Sequence, residues 1–338
     1  MRRIAGTRET DRLLRGMTVV LSAGFLLAWC AGSPTESKPP QVCGSASGAS
    51  VAFFTERFGD QCLAQRGWYD NTSVVLSATE HAPGSTNSVQ YRFAKGATTP
   101  TNGGAIRHKF PSSPSMYLSY FVKYSPEWIG SGHTYHPHEF YALSSMDGDW
   151  DGLSNDWMTL YVEDNYQNGG VPHMAFQDNK SINTALGLLP LDLITVTPNR
   201  SAGGCNGVVE LNVVTECFNG PPWYNDLQVR GPVVFQPDPG PGYKGNWNFV
   251  EAYFQLNSVV NGAEQPDGVM QYWFNGALII DRHDIVFRTA ARASLQLSQL
   301  VIAPYIGDGS PIDQSLWIDD VTVAAARPSA AQKRSGHP

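Results

Sequence analysis

The stretch Trp247–Thr289, WNFVEAYFQLNSVVNGAEQPDGVMQYWFNGALIIDRHDIVFRT, decides the fold class. Along Val250–Asn257 apolar and polar residues alternate strictly: Val250, Ala252, Phe254 and Leu256 fall on one face, Glu251, Tyr253, Gln255 and Asn257 on the other. A period of two marks a strand buried on one side only. A loop with Gly262, Pro266, Asp267 and Gly268 follows. The next strand, Val269–Phe274, sets Met270, Tyr272 and Phe274 against Val269, Gln271 and Trp273. Asn275 and Gly276 supply the two positive-φ residues of a type I′ turn, so Ala277–Ile280 is expected to return as an antiparallel partner. The polar face of this unit carries Glu, Tyr, Gln, Asn and Trp rather than the Thr, Lys, Ser and Glu of a solvated strand. Long planar hydrogen-bonding groups beside aromatic rings suit a surface that grips a sugar.

Working outward, further strands are expected at Ser73–Ala78, Ser88–Ala94, Met116–Tyr124, His138–Ser144, Trp157–Glu163, His173–Gln177, Val208–Thr215, Asp284–Arg288, Gln299–Tyr305 and Ser315–Val323. The separators are rich in Gly, Pro, Asn and Asp, and no long run of period 3.6 occurs, which points to a sandwich or jelly roll. With 33 Gly, 23 Pro and only 16% charged residues, the composition agrees. One short helix is expected within Phe53–Trp68. The segment from Gly187 to Tyr243 is the least regular.

Arg2, Arg3, Arg8, Arg12 and Arg15 precede an apolar run from Met17 to Trp29, the layout of an export signal over residues 1–30. The run ends Leu27-Ala28-Trp29-Cys30, which resembles a bacterial lipobox with Cys30 as the lipidated residue; Trp29 departs from the usual small residue there. Residues 31–50 read as a flexible tether, 51–325 as one β-domain and 326–338 as a disordered tail. With Cys30 set aside, Cys43, Cys62, Cys205 and Cys217 form an even set in an exported chain, so disulfides are expected. Spacing favours Cys43 with Cys62 and Cys205 with Cys217, although three connectivities exist. The net charge is −7, and residues 1–30 carry five Arg against one Glu and one Asp, so the remainder stands at about −10. Such an acidic chain argues against nucleic acid as a partner.

Asp147, Asp149 and Asp151, followed by Gly152, match a D-x-D-x-D-G calcium loop, though Met158 stands where an EF-hand has its Glu. Calcium is therefore the one cofactor the sequence suggests, against an ordinary acidic turn. Asp319 and Asp320 are read as structural, with Trp317, Asp319 and Val321 facing one way and Ile318, Asp320 and Thr322 the other. No GxGxxG follows an expected strand, and P-loop, HExxH and GxSxG signatures are absent.

Three segments together, Met116–Trp128 (MYLSYFVKYSPEW), Trp247–Gly276 and Leu316–Val323 (LWIDDVTV), resemble bacterial proteins with a concanavalin A-like jelly roll. The nearest group is that of the polysaccharide lyases: alginate, glucuronan and heparin lyases. The resemblance implies an all-β fold, a concanavalin A-like β-sandwich of two antiparallel sheets, acting on polysaccharide at or outside the cell envelope. It is specific for fold and less so for activity. The Gln-Ile-His tripeptide of one alginate-lyase group is missing, and Gly130–Tyr141 replaces an expected Lys-Leu-Pro-Gly segment. The Glu-x-Asp-x-x-Glu strand of glucanases with this fold is also missing, which weakens a retaining glycosidase with its two close carboxylates.

A uronate lyase must neutralise a carboxylate, remove the C5 proton and protonate the leaving oxygen. Under this resemblance Arg92, Tyr253, His136 and His138 are the candidate catalytic residues. Gln90, Lys123, Tyr161, Glu251, Gln255, Gln271 and Trp273 are the candidate substrate contacts on one concave face. His136 and His138 are read as general bases or sugar contacts ahead of a metal pair, against a structural polar rim. The alternative for the whole set is a solvated face with Glu251 paired to Arg92. The expectation is then a lyase cleaving an acidic polysaccharide by β-elimination, or, alternatively, a lectin-like surface lipoprotein that binds glycan without cleaving it.

Overall fold

The computed structural model describes residues 52–132, 137–144, 158–166, 169–177, 205–206, 216–217, 229–307 and 309–328. These all belong to the compact unit running from Cys43 to Pro338. The signal segment, the tether, Cys30, Cys43, His136, Asp147, Asp149, Asp151 and the expected strand Val208–Thr215 lie outside the described residues.

The expected all-β sandwich is the fold. Sheet A runs, in spatial order, β17 (Ala277–Ile285), β16 (Gly268–Phe274), β13 (Asn248–Gln255), β6 (Ser115–Tyr124), β19 (Gln314–Ala324), β4 (Ser88–Phe93) and β3 (Val75–Ser77); β1 (Ala52–Glu56) also pairs with β19. Sheet B runs β12 (Val229–Arg230), β9 (Val171–Gln177), β8 (Thr159–Tyr166), β7 (Pro137–Ser144), β18 (Leu297–Ile306), β5 (Ile106–Ser113) and β2 (Trp68–Asp70). Two short ribbons complete the set: β10 (Cys205–Asn206) with β11 (Glu216–Cys217), and β14 (Val259–Val260) with β15 (Ala263–Glu264). Every ladder among the described residues is antiparallel, the arrangement that hairpins and long returns can build without crossover helices.

Alternation does what the opening stretch promised. Val250, Ala252 and Phe254 on β13, and Met270, Tyr272 and Phe274 on β16, turn into the space between the sheets. They meet Phe140, Ala142, Leu160, Val162, Met174, Phe176, Leu300 and Ile302 from sheet B. Asn275 and Gly276 both have positive φ, 49° and 85°, and deliver the hairpin between β16 and β17. β17 then runs on to Ile285, longer than Ala277–Ile280, and forms an outer edge of sheet A.

Three expectations need correction. The helix within Phe53–Trp68 is only a single 3-10 turn at Ala64–Arg66, because Ala52–Glu56 is held as a strand by β19. The strand β5 was not anticipated. Its sequence, IRHKFPSS, places His108 where an apolar residue would show the pattern; the ring stacks on Phe54 at 3.8 Å and meets Trp68 edge-on at 5.2 Å. In β19 the strict alternation breaks at Asp320, whose φ of 48° accompanies a register shift between Asp319 and Thr322. The bulge inserts one residue, so Val321 joins Ile318 and Val323 in the core instead of following Trp317 and Asp319 outward.

Candidate functional site

The polar residues singled out on β4, β6, β13 and β16 do share the outer face of sheet A, but they do not form one site. Arg92 on β4 and Tyr253 on β13 are separated by β19 and β6. Tyr253 is level with Tyr117, whereas Arg92 is level with Ser315, itself bonded to Ser125 at the far end of β6. Strand spacing and rise put the two roughly 30 Å apart. His138 belongs to β7 in the other sheet. A catalytic set of Arg92, Tyr253 and a histidine from residues 133–138 is therefore not brought together.

The same residues are held by the chain's own loops and tail. Arg92 pairs with Asp313 at 3.1 Å, an exposed ion pair, and not with Glu251. Lys123 donates to Glu80 at 2.5 Å and lies 5.9 Å from the Trp317 ring. Gln271 donates to Asp281 at 2.7 Å, and the Tyr253 hydroxyl donates to Gln255 at 3.1 Å. Gln90 is half-buried and gives its carbonyl to Asn102. Glu251 is completely buried; it accepts from the Tyr117 hydroxyl at 2.8 Å and from Arg327 Nε and Nη2 at 2.9 and 2.8 Å. The Arg327 guanidinium sits 4.1 Å over the Trp273 ring. Its ion pair with Glu251 raises the Arg327 pKa above its usual value, against the opposing effect of burial. The tail expected to be disordered from 326 onward is pinned at its start.

Tyr161 alone of the proposed substrate contacts lies on sheet B, and it leads to a second polar face. On β8, Leu160 and Val162 point into the core while Thr159, Tyr161 and Glu163 point outward. Antiparallel register sets Glu163 directly opposite His173, and His173 directly opposite Arg230 on β12. Directly opposed residues have Cα atoms about 5 Å apart and diagonal neighbours about 7–8 Å, so Tyr161, Glu163, His173 and Arg230 form one local group. His173 Nδ1 lies 2.7 Å from Glu163 Oε2, both side chains being almost fully buried. A carboxylate at that distance accepts a hydrogen bond from Nδ1–H and so orients the ring with Nε2 turned away from it.

Three strand spacings from Tyr161 on the same face lies Arg107, level with it through Val301. Arg107 Nε and Nη2 donate to Asp70 at 2.5 and 3.1 Å, and its guanidinium stacks 4.5 Å over Tyr69. Lys109, exposed, lies 5.6 Å from the same ring, and the Tyr69 hydroxyl donates to Gln299 at 3.0 Å. Tyr161, Ala175 and Val301 make a small apolar cluster between the two ends. The face thus carries cations at both ends and a Tyr/His/Glu group at one. Arg107, Lys109, Gln299 and Arg230 were missed in the sequence. The alternation of Arg107 and Lys109 against Ile106 and Phe110 was the available signal, blurred by His108 and Pro111.

Cys62 is buried, and Cys205 and Cys217 are directly paired positions of β10 and β11. Among the described residues, no cluster of His, Cys, Asp or Glu could hold a metal ion, and no helix is long and apolar enough to cross a membrane.

No known family profile matches the chain, and no curated protein matches it in sequence. Solved structures do resemble it. An alginate lyase of family PL-14 from Aplysia kurodai aligns with 14% identity over 82% of this chain and 100% of that one, with a TM-score of 0.51. An alginate lyase from Chlorella virus aligns with 14% identity over 81% and 100%, TM-score 0.47. An endo-β-1,4-glucuronan lyase from the fungus Trichoderma reesei aligns with 13% identity over 81% and 96%, TM-score 0.45. At these identities the likeness is one of fold: the chain shares the β-sandwich of the Aplysia lyase.

Proposed function

We propose that this protein is an exported lyase that cleaves an acidic polysaccharide by β-elimination on the outer face of sheet B. The observation that carries the reading is the His173–Glu163 pair at 2.7 Å, with Tyr161 diagonal to it and Arg230 opposite His173. Arg230 neutralises the uronate carboxylate, which acidifies the adjacent C5 proton. His173 Nε2, oriented by Glu163, removes that proton. The C5–H electron pair becomes the C4=C5 double bond as the C4–O bond breaks, and the Tyr161 hydroxyl gives its proton to the departing oxygen. Arg107, Lys109, Tyr69 and Gln299 bind a neighbouring part of the chain. The fold neighbour from Aplysia, an alginate lyase, supports a uronate-bearing substrate. The N-terminal basic and apolar segment supports export with Cys30 as the lipid anchor, and the D-x-D-x-D-G pattern of Asp147, Asp149 and Asp151 supports calcium.

A second reading, a lectin-like module, is favoured by two observations: Arg107 is already neutralised by Asp70, and the His173–Glu163 pair is closed to solvent. Incubation with alginate, glucuronan, heparin and pectin decides between them. A rise in the ultraviolet absorbance of unsaturated uronate, lost in His173→Gln and Tyr161→Phe, supports the lyase. A flat trace from folded protein that still binds glycan on an array supports the module.

A further inference from the structure

Directly beneath Glu163, the next residue of β8 points the other way. Asp164 enters the core and is completely buried. The Tyr120 hydroxyl on β6 lies 2.8 Å from both of its carboxylate oxygens, and the Tyr272 hydroxyl on β16 donates to Oδ1 at 2.8 Å. Its backbone N–H donates to Glu139 Oε2 at 3.3 Å. Glu139, on β7, is also completely buried and takes the Tyr124 hydroxyl at 3.2 Å. It precedes the inward Phe140 and so departs from alternation, at the level where β18 shifts register between Ile302 and Tyr305. Two carboxyls from sheet B and three phenols from sheet A therefore meet inside an otherwise apolar sandwich.

The charge balance there is one-sided. The titratable groups facing the pair are Tyr120 and Tyr124 from β6, Tyr272 from β16 and Glu163 from β8, with His173 on β9 beyond Glu163. No Arg or Lys among the described residues bonds to either carboxyl. Two adjacent buried anions with no cation are too costly to persist, so one of them keeps a proton. Asp164 has two short phenol donors; Glu139 has one phenol and one amide, both longer. The better-solvated anion is Asp164, and Glu139 is the carboxyl that stays neutral. Burial first, then the charges of Asp164 and Glu163, pushes the Glu139 pKa well above the usual carboxylate range. Burial raises Asp164 to about 7, with the Tyr272 and Tyr120 hydrogen bonds pulling the other way.

We propose that Glu139 and Asp164 are a proton-holding pair that seats the Glu163 stretch of β8: the sandwich is firm while the pair keeps its protons and loosens at this strand as they leave. The pair thereby positions the Glu163–His173 couple above it and tunes the proposed site to acidic and neutral media. That last link rests on the proposed lyase reading.

The test uses the whole exported domain at about pH 5 to 8, spanning the window in which a buried carboxyl would lose its proton. Infrared difference spectra report a protonated carboxyl directly, and urea midpoints report proton linkage. For the unmodified protein the expected result is a protonated-carboxyl band at neutral pH and a urea midpoint that falls as pH rises. Glu139→Gln weakens the band, and Asp164→Asn at least halves the fall. Lyase activity, if present, declines over the same range in the unmodified protein and declines less in Asp164→Asn. Absence of the band overturns the pair and is read without any variant, whereas the proton linkage is read as the difference between Asp164→Asn and the parent at each pH. An unchanged slope in folded Asp164→Asn also overturns it. No unsaturated product on any glycan, with band and slope intact, counts against the proposed activity alone.

Discussion

Arg327 reaches back from beyond the last strand to close on Glu251, 76 positions earlier, with two nitrogens on a carboxylate that has no exposure to solvent. A buried anion with its cation removed is expensive, although Arg327 is about one-third exposed and water would partly replace it. Arg327→Ala should therefore destabilise by about 2 kcal/mol in urea unfolding. The double variant with Glu251→Gln should lose less than the two single losses added together. Additivity would mean that the pair carries no coupling.

Asp319 is a second outward carboxylate captured by a loop. It accepts the Ala82 N–H at 2.9 Å and the Ser85 hydroxyl at 3.2 Å, while burial raises its pKa to about 6. Between the unfolded value near 3.8 and about 6, the folded chain holds a proton that the unfolded chain has released, so this group's contribution to stability falls as pH rises through that window. Ser85→Ala removes a donor to the ionised form. It should cost about 1 kcal/mol at neutral pH and little at about pH 4, where Asp319 is protonated. His108, whose pKa is lowered by burial, acts in the opposite sense, but it cancels when the variant is compared with the parent at each pH.

The two polar faces make opposite predictions for catalysis. Loss of a proton-transfer group costs on the order of 100-fold or more, so His173→Gln and Tyr161→Phe should lose that much of kcat. Arg92→Ala and Tyr253→Phe, on the face bound by loops and tail, should leave the rate of unsaturated-uronate formation within about two-fold, since neither would handle a reacting proton. Equal losses on both faces would sink the assignment to sheet B.

Cys205 and Cys217 stand opposite each other across β10 and β11, a separation at which antiparallel Cα atoms fall within disulfide reach. Peptide mapping without reductant should recover them joined, and Cys62 joined to Cys43. Free thiols at 205 and 217 after export would refute the first pairing.

The elements legible in the sequence were those whose partners are local. The alternation from Val250 and the turn at Asn275 specify a hairpin unit by themselves, and both are present. What local pattern cannot give is strand order. Gln90, Glu251 and Tyr253 each announce an outward polar side, yet nothing near them says that two strands intervene between β4 and β13. Nor does the sequence around Glu251 reveal Arg327 as its partner. The unusual polarity of that face accompanies its capture of a tail and two loops. The face of sheet B was harder still, because two of its cations, Arg107 and Lys109, sit on β5, where an inward His108 and Pro111 interrupt the pattern.

The outer edge of sheet A has a consequence for how the molecule behaves in a crowd. Among the described residues the nine-residue β17 pairs with β16 on one side and with no strand on the other, and such edges invite a second copy to add itself as the next strand. A two-fold antiparallel pairing centred on this strand's DRHD segment would set Asp281 against Asp284, like against like. The edge thereby disfavours its own duplicate as the next strand.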